Sequence, residues 1–186
     1  MTYRPPFIDP GSLLVEPPHP AALDDAALAR ACRVSTGRVS GPGGQHRNRV
    51  ETAVFVVHTP TGVEAQATER RSQVENRRVA LTRLRVRLAI HARTLVGRDH
   101  HDPSALWRSR VRGTAIHVAT DHHDYPAILA EALDVVVAHH FDIATAAKAL
   151  GISASQLSKV ILREKEAHSF VARGRAAAGL RPLRRP

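Results

Sequence analysis

Residues 40–49 read Ser-Gly-Pro-Gly-Gly-Gln-His-Arg-Asn-Arg, and this decapeptide constrains the chain more than any other segment. Three glycines and one proline predict a loop rather than a helix or a strand. Because the loop has almost no side-chain bulk, its backbone can come close to another molecule. Gln45 lies at the tip as an uncharged polar group, and cationic residues follow at once. The segment therefore predicts a slim loop suited to a polyanionic site.

Positive charge is concentrated around this loop. The 186 residues carry a net charge of +10, and residues 30–99 alone have 14 arginines against five acids, a net charge of +9. Residues 163–186 carry +5. Of the 27 basic residues 24 are arginine, whose planar guanidinium group suits bidentate phosphate contacts. This distribution favours a nucleic-acid partner.

Composition also argues against several classes of protein. With 43% apolar residues the chain can bury a core, so global disorder is not expected. No apolar run is long enough to span a membrane, and no secretory signal follows the start. The single cysteine, Cys32, cannot form an internal disulfide, which fits a reducing compartment. We expect a monomeric cytoplasmic protein with no membrane partner.

The residues around the loop predict a small domain of strands. Residues 32–38 alternate weakly and predict a strand that leads into the loop, and residues 52–58 read as a buried strand. A tight turn at residues 59–62 and a returning strand at residues 63–68 complete a hairpin. The pattern therefore predicts a short antiparallel sheet.

Two helices are expected to accompany this sheet. A short one begins near Asp24 or Asp25 and runs to about Ala31. A long one begins at the capping box of Ser72 and Glu75 and runs to about His91. Its apolar stripe comprises Ala80, Leu81, Leu84 and Leu88, and a separate row of arginines comprises Arg71, Arg78 and Arg85. One face should pack on the hairpin while the other presents guanidinium groups.

The rest of the chain predicts a helical region. Residues 126–137 have helical spacing, and residues 143–161 read as two short helices separated by Gly151, a helix-turn-helix pattern. We therefore expect an α+β chain with five parts: an extended proline-rich arm (1–20), a catalytic domain around the Gly-Gly-Gln loop (21–95), a linker (96–125), a helical helix-turn-helix-like region (126–170) and a basic flexible tail (171–186).

The loop and the segments that follow it resemble a known family. Gly43-Gly44-Gln45 and its flanks resemble the catalytic domain of class I peptide chain release factors and of related ribosome-rescue peptidyl-tRNA hydrolases. The similarity covers about residues 32–90 and includes an ordered set of segments: Ser40-Gly41-Pro42, His46, Asn48-Arg49, Glu51-Thr52-Ala53-Val54, Thr59-Pro60-Thr61-Gly62, Glu69-Arg70-Arg71-Ser72-Gln73 and Asn76-Arg77. A lone Gly-Gly-Gln would be weak, but this ordered set is highly specific.

The resemblance implies hydrolysis of the ester that joins a nascent peptide to tRNA, in the peptidyl transferase centre of the large ribosomal subunit. It implies that Gly43, Gly44 and Gln45 are catalytic, with the backbone amide of Gln45 as the donor to the ester oxygen. It assigns His46 to RNA contact and loop support rather than to a general base. The implied RNA-binding set is Ser40, His46, Arg47, Asn48, Arg49, Arg70, Arg71, Ser72, Gln73, Arg77 and Arg78.

Stop-codon recognition is not expected, because no codon-reading motif is identifiable after the loop domain. The resemblance points instead to codon-independent release from stalled ribosomes. Short rescue hydrolases use a basic C-terminal tail in the empty mRNA channel, and Arg173, Arg175, Arg181, Arg184 and Arg185 are the matching candidates here. The alternative is a non-catalytic ribosome-associated or DNA-binding regulator that acts through the helix-turn-helix.

A metal site is not expected either, and neither is a cofactor. The pairs His100-His101, His122-His123 and His139-His140 invite such an interpretation, as does the spacing of His117 and His122. Adjacent histidines on a helix point in different directions, and no cysteine pair accompanies them. We interpret these histidines as scattered surface residues.

Overall fold

A computed structural model describes residues 12–38, 52–98 and 101–183 of the chain. Its largest sheet has three antiparallel strands in the order β2 (Cys32–Gly37), β3 (Ala53–His58) and β4 (Glu64–Ala67), numbered after a short first strand. β2 and β3 pair from Cys32 opposite His58 to Gly37 opposite Ala53. All three strands predicted from the sequence are confirmed, and their ends lie within two residues of the expected ones.

The hairpin between β3 and β4 closes at the expected turn. The Gly62 N–H donates to the His58 carbonyl at 2.8 Å, and the His58 N–H donates to the Val63 carbonyl at 2.8 Å. Gly62 has a φ of 71°, in the left-handed region where a side chain is unfavourable. Val54 and Val56 of β3 are fully buried, so one face of the sheet lies in the core.

Helix α2 (Gln73–His91) covers that face of the sheet. The Ser72 hydroxyl accepts the Glu75 N–H, so the predicted cap is present. Ala80, Leu84 and Leu88, spaced four residues apart, are all fully buried. The predicted short helix is also present as α1 (Asp25–Arg30), whose N-cap carboxylate Asp24 accepts the Ala27 N–H at 2.7 Å.

The described part of the proline-rich arm packs against the body of the protein. Strand β1 (Leu13–Leu14) pairs in parallel with β5 (Ala92–Arg93), which follows α2 directly. A 3-10 turn at Pro20–Ala22 comes next. His19 beside it donates through Nε2 to the Ala92 carbonyl and accepts the Ala21 N–H through Nδ1. Burial lowers the pKa of His19 to about 4, so the ring is neutral and bridges Ala21 to the Ala92 carbonyl.

The range predicted as a linker, residues 96–125, contains secondary structure. Helix α3 (Ala105–Arg110) is followed by a hairpin of β6 (Val111–Arg112) and β7 (Ala115–Ile116). The reason is Trp107, which is fully buried and donates its indole N–H to the Leu150 carbonyl at 2.9 Å. A large aromatic side chain with a satisfied polar group anchors this range to the helical region.

The helical region is built around α4 (Tyr125–Ala138), in which all but two residues are buried. A helix buried on nearly all sides must be surrounded by neighbours. These include α2, α5 (Ile143–Ala149) and α6 (Ala154–Leu162). Gly151 has a φ of 69° between α5 and α6, and the Ser153 hydroxyl caps α6. Both short helices predicted over residues 143–161 are therefore present.

A buried charge network joins β5 to the helical region. Arg93 donates to Asp134 of α4 at 2.7 Å and to the Ala89 carbonyl of α2. Both side chains of the pair are almost completely buried. The Thr94 amide donates to the other carboxylate oxygen of Asp134 at 3.2 Å. Burial raises the pKa of the Asp134 carboxyl, against the opposing effect of Arg93.

The last helix, α7 (Lys165–Ala177), corrects the prediction of a flexible tail from residue 171. Val171 is fully buried, and the Phe141 and Phe170 rings meet edge to face with centroids 5.7 Å apart. The basic, weakly periodic sequence concealed an amphipathic helix because small residues make up much of its packed face. Gly174 is one of them, and it lies directly against the Phe141 ring.

The described residues thus form a mixed chain of small sheets and seven helices, which confirms the expected fold class at that level. None of the helices in the described ranges is both long enough and apolar enough to cross a lipid bilayer.

We expect Gly174→Ala to destabilise the protein, although alanine is the better helix former by about 1 kcal/mol. A Cβ at this position would lie 2.2 Å from two atoms of the buried Phe141 ring. Overpacking of this kind costs about 1–3 kcal/mol, so the free energy of unfolding should fall.

Urea denaturation measures the change, with Gly97→Ala as the control. A Cβ at Gly97 would meet nothing within 4 Å, so this variant should unfold like the wild type. An increase in the stability of Gly174→Ala would contradict the packing of α7 described above.

Candidate functional site

The catalytic candidates Gly43, Gly44 and Gln45 lie in residues 39–51, outside the described residues. The same holds for Ser40, His46, Arg47, Asn48 and Arg49. The structure does describe the strands on either side of this segment. Gly37, the last residue of β2, pairs directly with Ala53, the first residue of β3. Both attachment points of the segment therefore lie side by side at one end of the sheet.

A turn of basic residues leads into α2. Arg70, Arg71, Arg77 and Arg78 are all exposed, as is Gln73. Cations at the N-terminal end of a helix oppose the helix dipole, so helix stability does not favour them there. We call these four exposed guanidinium groups the basic cluster, since groups of this kind are suited to phosphate contacts.

Ser72 and Asn76 hold the basic cluster in shape. The Ser72 hydroxyl is engaged in the N-cap of α2, accepting the Glu75 N–H. Asn76 is fully buried beneath the turn. Its side-chain amide donates to the Thr52 carbonyl at 2.6 Å and to the Arg70 carbonyl at 2.9 Å, while its oxygen accepts the Arg70 N–H at 2.9 Å.

Asn76 had no predicted role of its own and was noted only as part of the resemblance. A signal for its role was present, because positions 76, 80, 84 and 88 are spaced four residues apart along the buried stripe. An asparagine in line with Ala80, Leu84 and Leu88 must find partners for its amide. The partner Thr52, 24 residues away, was not visible in that pattern.

The predicted arginine row along α2 does not extend past its first half. Arg85 turns away from solvent, donating to Asp25 at 2.7 Å and to the Leu23 carbonyl at 2.5 Å. Arg83 pairs with Glu69 at 2.5 Å and donates to the Gln66 carbonyl at 2.8 Å. The Thr68 amide, together with Arg83, lowers the pKa of the Glu69 carboxyl. Arg85 therefore connects α2 to α1, and Arg83 connects α2 to β4. The basic cluster is confined to the N-terminal end of α2.

The candidate arginines of the tail divide into three groups. Arg173 and Arg181 are exposed. Arg175 is half-buried and donates to the Phe141 carbonyl at 2.6 Å and to the Arg181 carbonyl at 2.8 Å, so it fastens the end of α7. Arg184 and Arg185 lie outside the described residues.

Among the described residues, His122, His123 and Asp124 bring their ligand atoms close enough together for a metal ion. The Asp124 carboxylate is already bound by the Arg110 guanidinium group, and the two imidazole rings are stacked 4.3 Å apart. An arginine on the only carboxylate of the group disfavours a cation there. We assign no metal to this cluster.

Comparison with known proteins identifies the part of the chain that contains this site. Residues 28–115 match the RF-1 domain. Aligned regions are 42% identical over 71 residues to mitochondrial peptide chain release factor 1 of Bos taurus, 54% over 56 residues to peptide chain release factor 1 of Ureaplasma parvum, and 35% over 98 residues to peptide chain release factor 2 of Treponema pallidum.

These matches cover 38%, 30% and 50% of this chain, respectively. They cover only 16%, 16% and 27% of the three relatives. Residues 28–115, just under half of the chain, therefore match the RF-1 domain of the class I release factor family. The resemblance to class I release factors inferred from the sequence is confirmed.

We expect Arg77→Ala/Arg78→Ala to weaken RNA binding by at least about tenfold at physiological salt. Each phosphate contact that is lost removes a released counterion, so the slope of log K against log salt should fall by about 1 to 2. Ribosome co-sedimentation across a salt series measures both quantities. The double variant Arg30→Ala/Arg98→Ala removes the same charge from exposed positions outside the cluster and should bind like the wild type. Equal losses of affinity in both double variants would show that binding depends on net charge alone and not on the position of the arginines.

Proposed function

We propose that this protein is a ribosome-dependent peptidyl-tRNA hydrolase that releases nascent peptides from stalled translation complexes in the cytoplasm without reading a stop codon. The observation that carries the proposal is the RF-1 domain match with an intact Gly43-Gly44-Gln45 sequence. The paired ends of β2 and β3 support it, because they hold both ends of the segment that contains this tripeptide.

The proposed chemistry requires little from side chains. Water attacks the ester carbonyl of peptidyl-tRNA, and negative charge develops on the carbonyl oxygen. The bond to the tRNA ribose oxygen then breaks, a proton from the attacking water passes to that oxygen, and the peptide leaves as a carboxylic acid. The Gln45 backbone N–H donates to the carbonyl oxygen, and the loss of one such donor costs about 3 kcal/mol of transition-state stabilisation. The Gln45 side chain fills the site so that water enters and larger nucleophiles do not. Glycines at 43 and 44 keep the backbone slim enough for the peptidyl transferase centre.

Much of the rate enhancement then comes from positioning rather than from a general base. The basic cluster supports this role, because its four exposed guanidinium groups offer contacts to the phosphates of large-subunit RNA. His46 contacts RNA and supports the loop in this scheme. Neither a metal nor a cofactor takes part.

We also propose that this release does not require a stop codon. In the described residues after the RF-1 match, α4, α5, α6 and α7 bury their apolar faces in a common core with α2. The apolar faces of these helices are therefore engaged in core packing, and we identify no codon-reading motif in their sequence. Arg173 and Arg181, exposed at the end of the chain, are candidates for contacts in an empty mRNA channel.

A second candidate function is nucleic-acid binding through the helix-turn-helix-like pair of α5 and α6. Residues 103–120 and 143–163 contain no acid, and Arg112, Lys148 and Lys159 are exposed. The Ser153 N–H donates to the Thr114 carbonyl at 3.0 Å, which sets the β6–β7 turn beside the start of α6. Arg108 and Arg163 are exposed as well, but Arg108 pairs with Asp102 and Arg163 donates to the Val118 carbonyl. The three remaining cations are few for reading a groove, so this surface supports backbone contact rather than base recognition.

Gly44→Ala and Gln45→Ala should each reduce peptide release from ribosomes stalled on truncated mRNA by at least about a hundredfold, since a Cβ at 44 strains the backbone that presents the donor and the loss of the Gln45 side chain leaves the site unfilled. Ribosome binding should stay within about threefold of wild type because the basic cluster is intact. A release assay with labelled peptidyl-tRNA, paired with co-sedimentation, measures both. The wild type should act equally on complexes with and without a stop codon in the decoding site. Strict dependence on a stop codon would reject the rescue mode, and unchanged release by both variants would reject the mechanism.

Arg112→Ala/Lys148→Ala/Lys159→Ala distinguishes the second candidate. If α5 and α6 bind duplex nucleic acid, the triple variant should lose at least about tenfold in affinity for duplex DNA or RNA and should show a smaller salt slope. Peptide release at saturating protein should be unaffected. Wild-type binding to duplex DNA with no association to ribosomes would favour this function over the first.

A further inference from the structure

Asn76 is a polar side chain in a position that otherwise belongs to the apolar core. It is fully buried, one helical turn before Ala80 on the face of α2 that packs on the sheet. An alanine or leucine there would continue the stripe without burying a polar group. The asparagine donates both amide hydrogens and accepts one bond through its oxygen, so three of its four hydrogen-bonding directions are used.

The three hydrogen bonds connect two segments that are distant in sequence. One bond reaches the carbonyl of Thr52, the first described residue after the segment that contains Gly43-Gly44-Gln45. Two reach the backbone N–H and carbonyl of Arg70, where the basic cluster begins. The amide therefore spans from the start of β3 to the turn that presents the guanidinium groups.

Hydrogen bonds fix the position of Thr52 relative to Arg70 better than apolar contacts would. A donor–acceptor distance has a narrow optimum and a strong angular preference, whereas apolar packing tolerates sliding. Three bonds to one planar group fix both the separation and the orientation of Thr52 and Arg70. The bonds to both backbone groups of Arg70 also prevent the turn from rotating.

We propose that Asn76 is a positioning residue for peptide release, because it sets the Thr52 end of the catalytic segment at a fixed distance from the basic cluster. The proposal rests on the proposed function. When the cluster is docked on RNA, this distance determines where the chain leaves β3 toward the segment that contains Gln45. A misplacement of about 1 Å can reduce a rate about a hundredfold even when it arises away from the reacting atoms.

The test is single-turnover peptide release by Asn76→Ala on stalled ribosomes, with the rate at saturating protein and the half-saturating concentration measured separately. We expect the saturated rate to fall by about 10- to 100-fold, while the half-saturating concentration changes by less than about threefold. Asn76→Asp retains the acceptor for the Arg70 N–H and replaces the NH₂ group by oxygen, so it should be at least as slow at neutral pH.

Leu84→Ala is the matched control for a purely structural role. Leu84 lies two turns further along the same buried stripe, and its truncation destabilises the same core without touching Thr52 or Arg70. Both variants are assayed at a temperature at which circular dichroism shows them fully folded. Leu84→Ala should release peptide at the wild-type rate.

A direct structural readout accompanies the kinetics. Hydrogen exchange of the Arg70 amide should accelerate in Asn76→Ala by at least about tenfold, because its acceptor is removed, and should be unchanged in Leu84→Ala. A saturated rate of Asn76→Ala equal to that of Leu84→Ala would overturn the positioning role while leaving the proposed function standing. Absence of release by the wild type would instead reject the proposed function, and the positioning role with it.

Discussion

The buried network around Arg93 is the interaction on which the rest of the described structure depends. Its guanidinium group reaches α2 through the Ala89 carbonyl, α4 through Asp134 and α7 through the Phe170 ring, whose centroid is 5.6 Å away. Loss of one partner of such a pair leaves the other charge buried, which costs about 3–5 kcal/mol. The helical region and the RF-1 domain are therefore held as one body at the C-terminal end of α2.

Helix α2 consequently has different tasks at its two ends. Its 19 residues extend over about 28 Å. The C-terminal end leads into β5 and the Arg93 network, and the N-terminal end carries the basic cluster and Asn76. Between them, Ala80, Leu84 and Leu88 pack on the sheet. A helix fixed so firmly at one end gives the cluster at the other a defined direction, as the proposed docking on RNA requires.

Local patterns predicted the elements well wherever a local physical cause exists. The Ser72 cap, the turn at Gly62 and the left-handed Gly151 each act over a few residues, so short windows of sequence revealed them. The prediction of a linker was wrong where Trp107 finds the Leu150 carbonyl, 43 residues away. The flexible-tail prediction was wrong where Gly174 meets Phe141, since no local pattern encodes a fit between two distant surfaces.

By itself the sequence determined the RF-1 resemblance, the concentration of positive charge and the order of strands and helices. These follow from residue identity and short-range periodicity, which fold into the same local structures in most contexts. Only the tertiary structure decided which arginines are exposed and which are bound within the protein. Arg78 and Arg85 lie at nearly the same angle around the helix, but only Arg85 donates to Asp25 and to the Leu23 carbonyl. The tertiary structure also decided that Asn76 faces Thr52, since that contact exists only once β3 lies against α2.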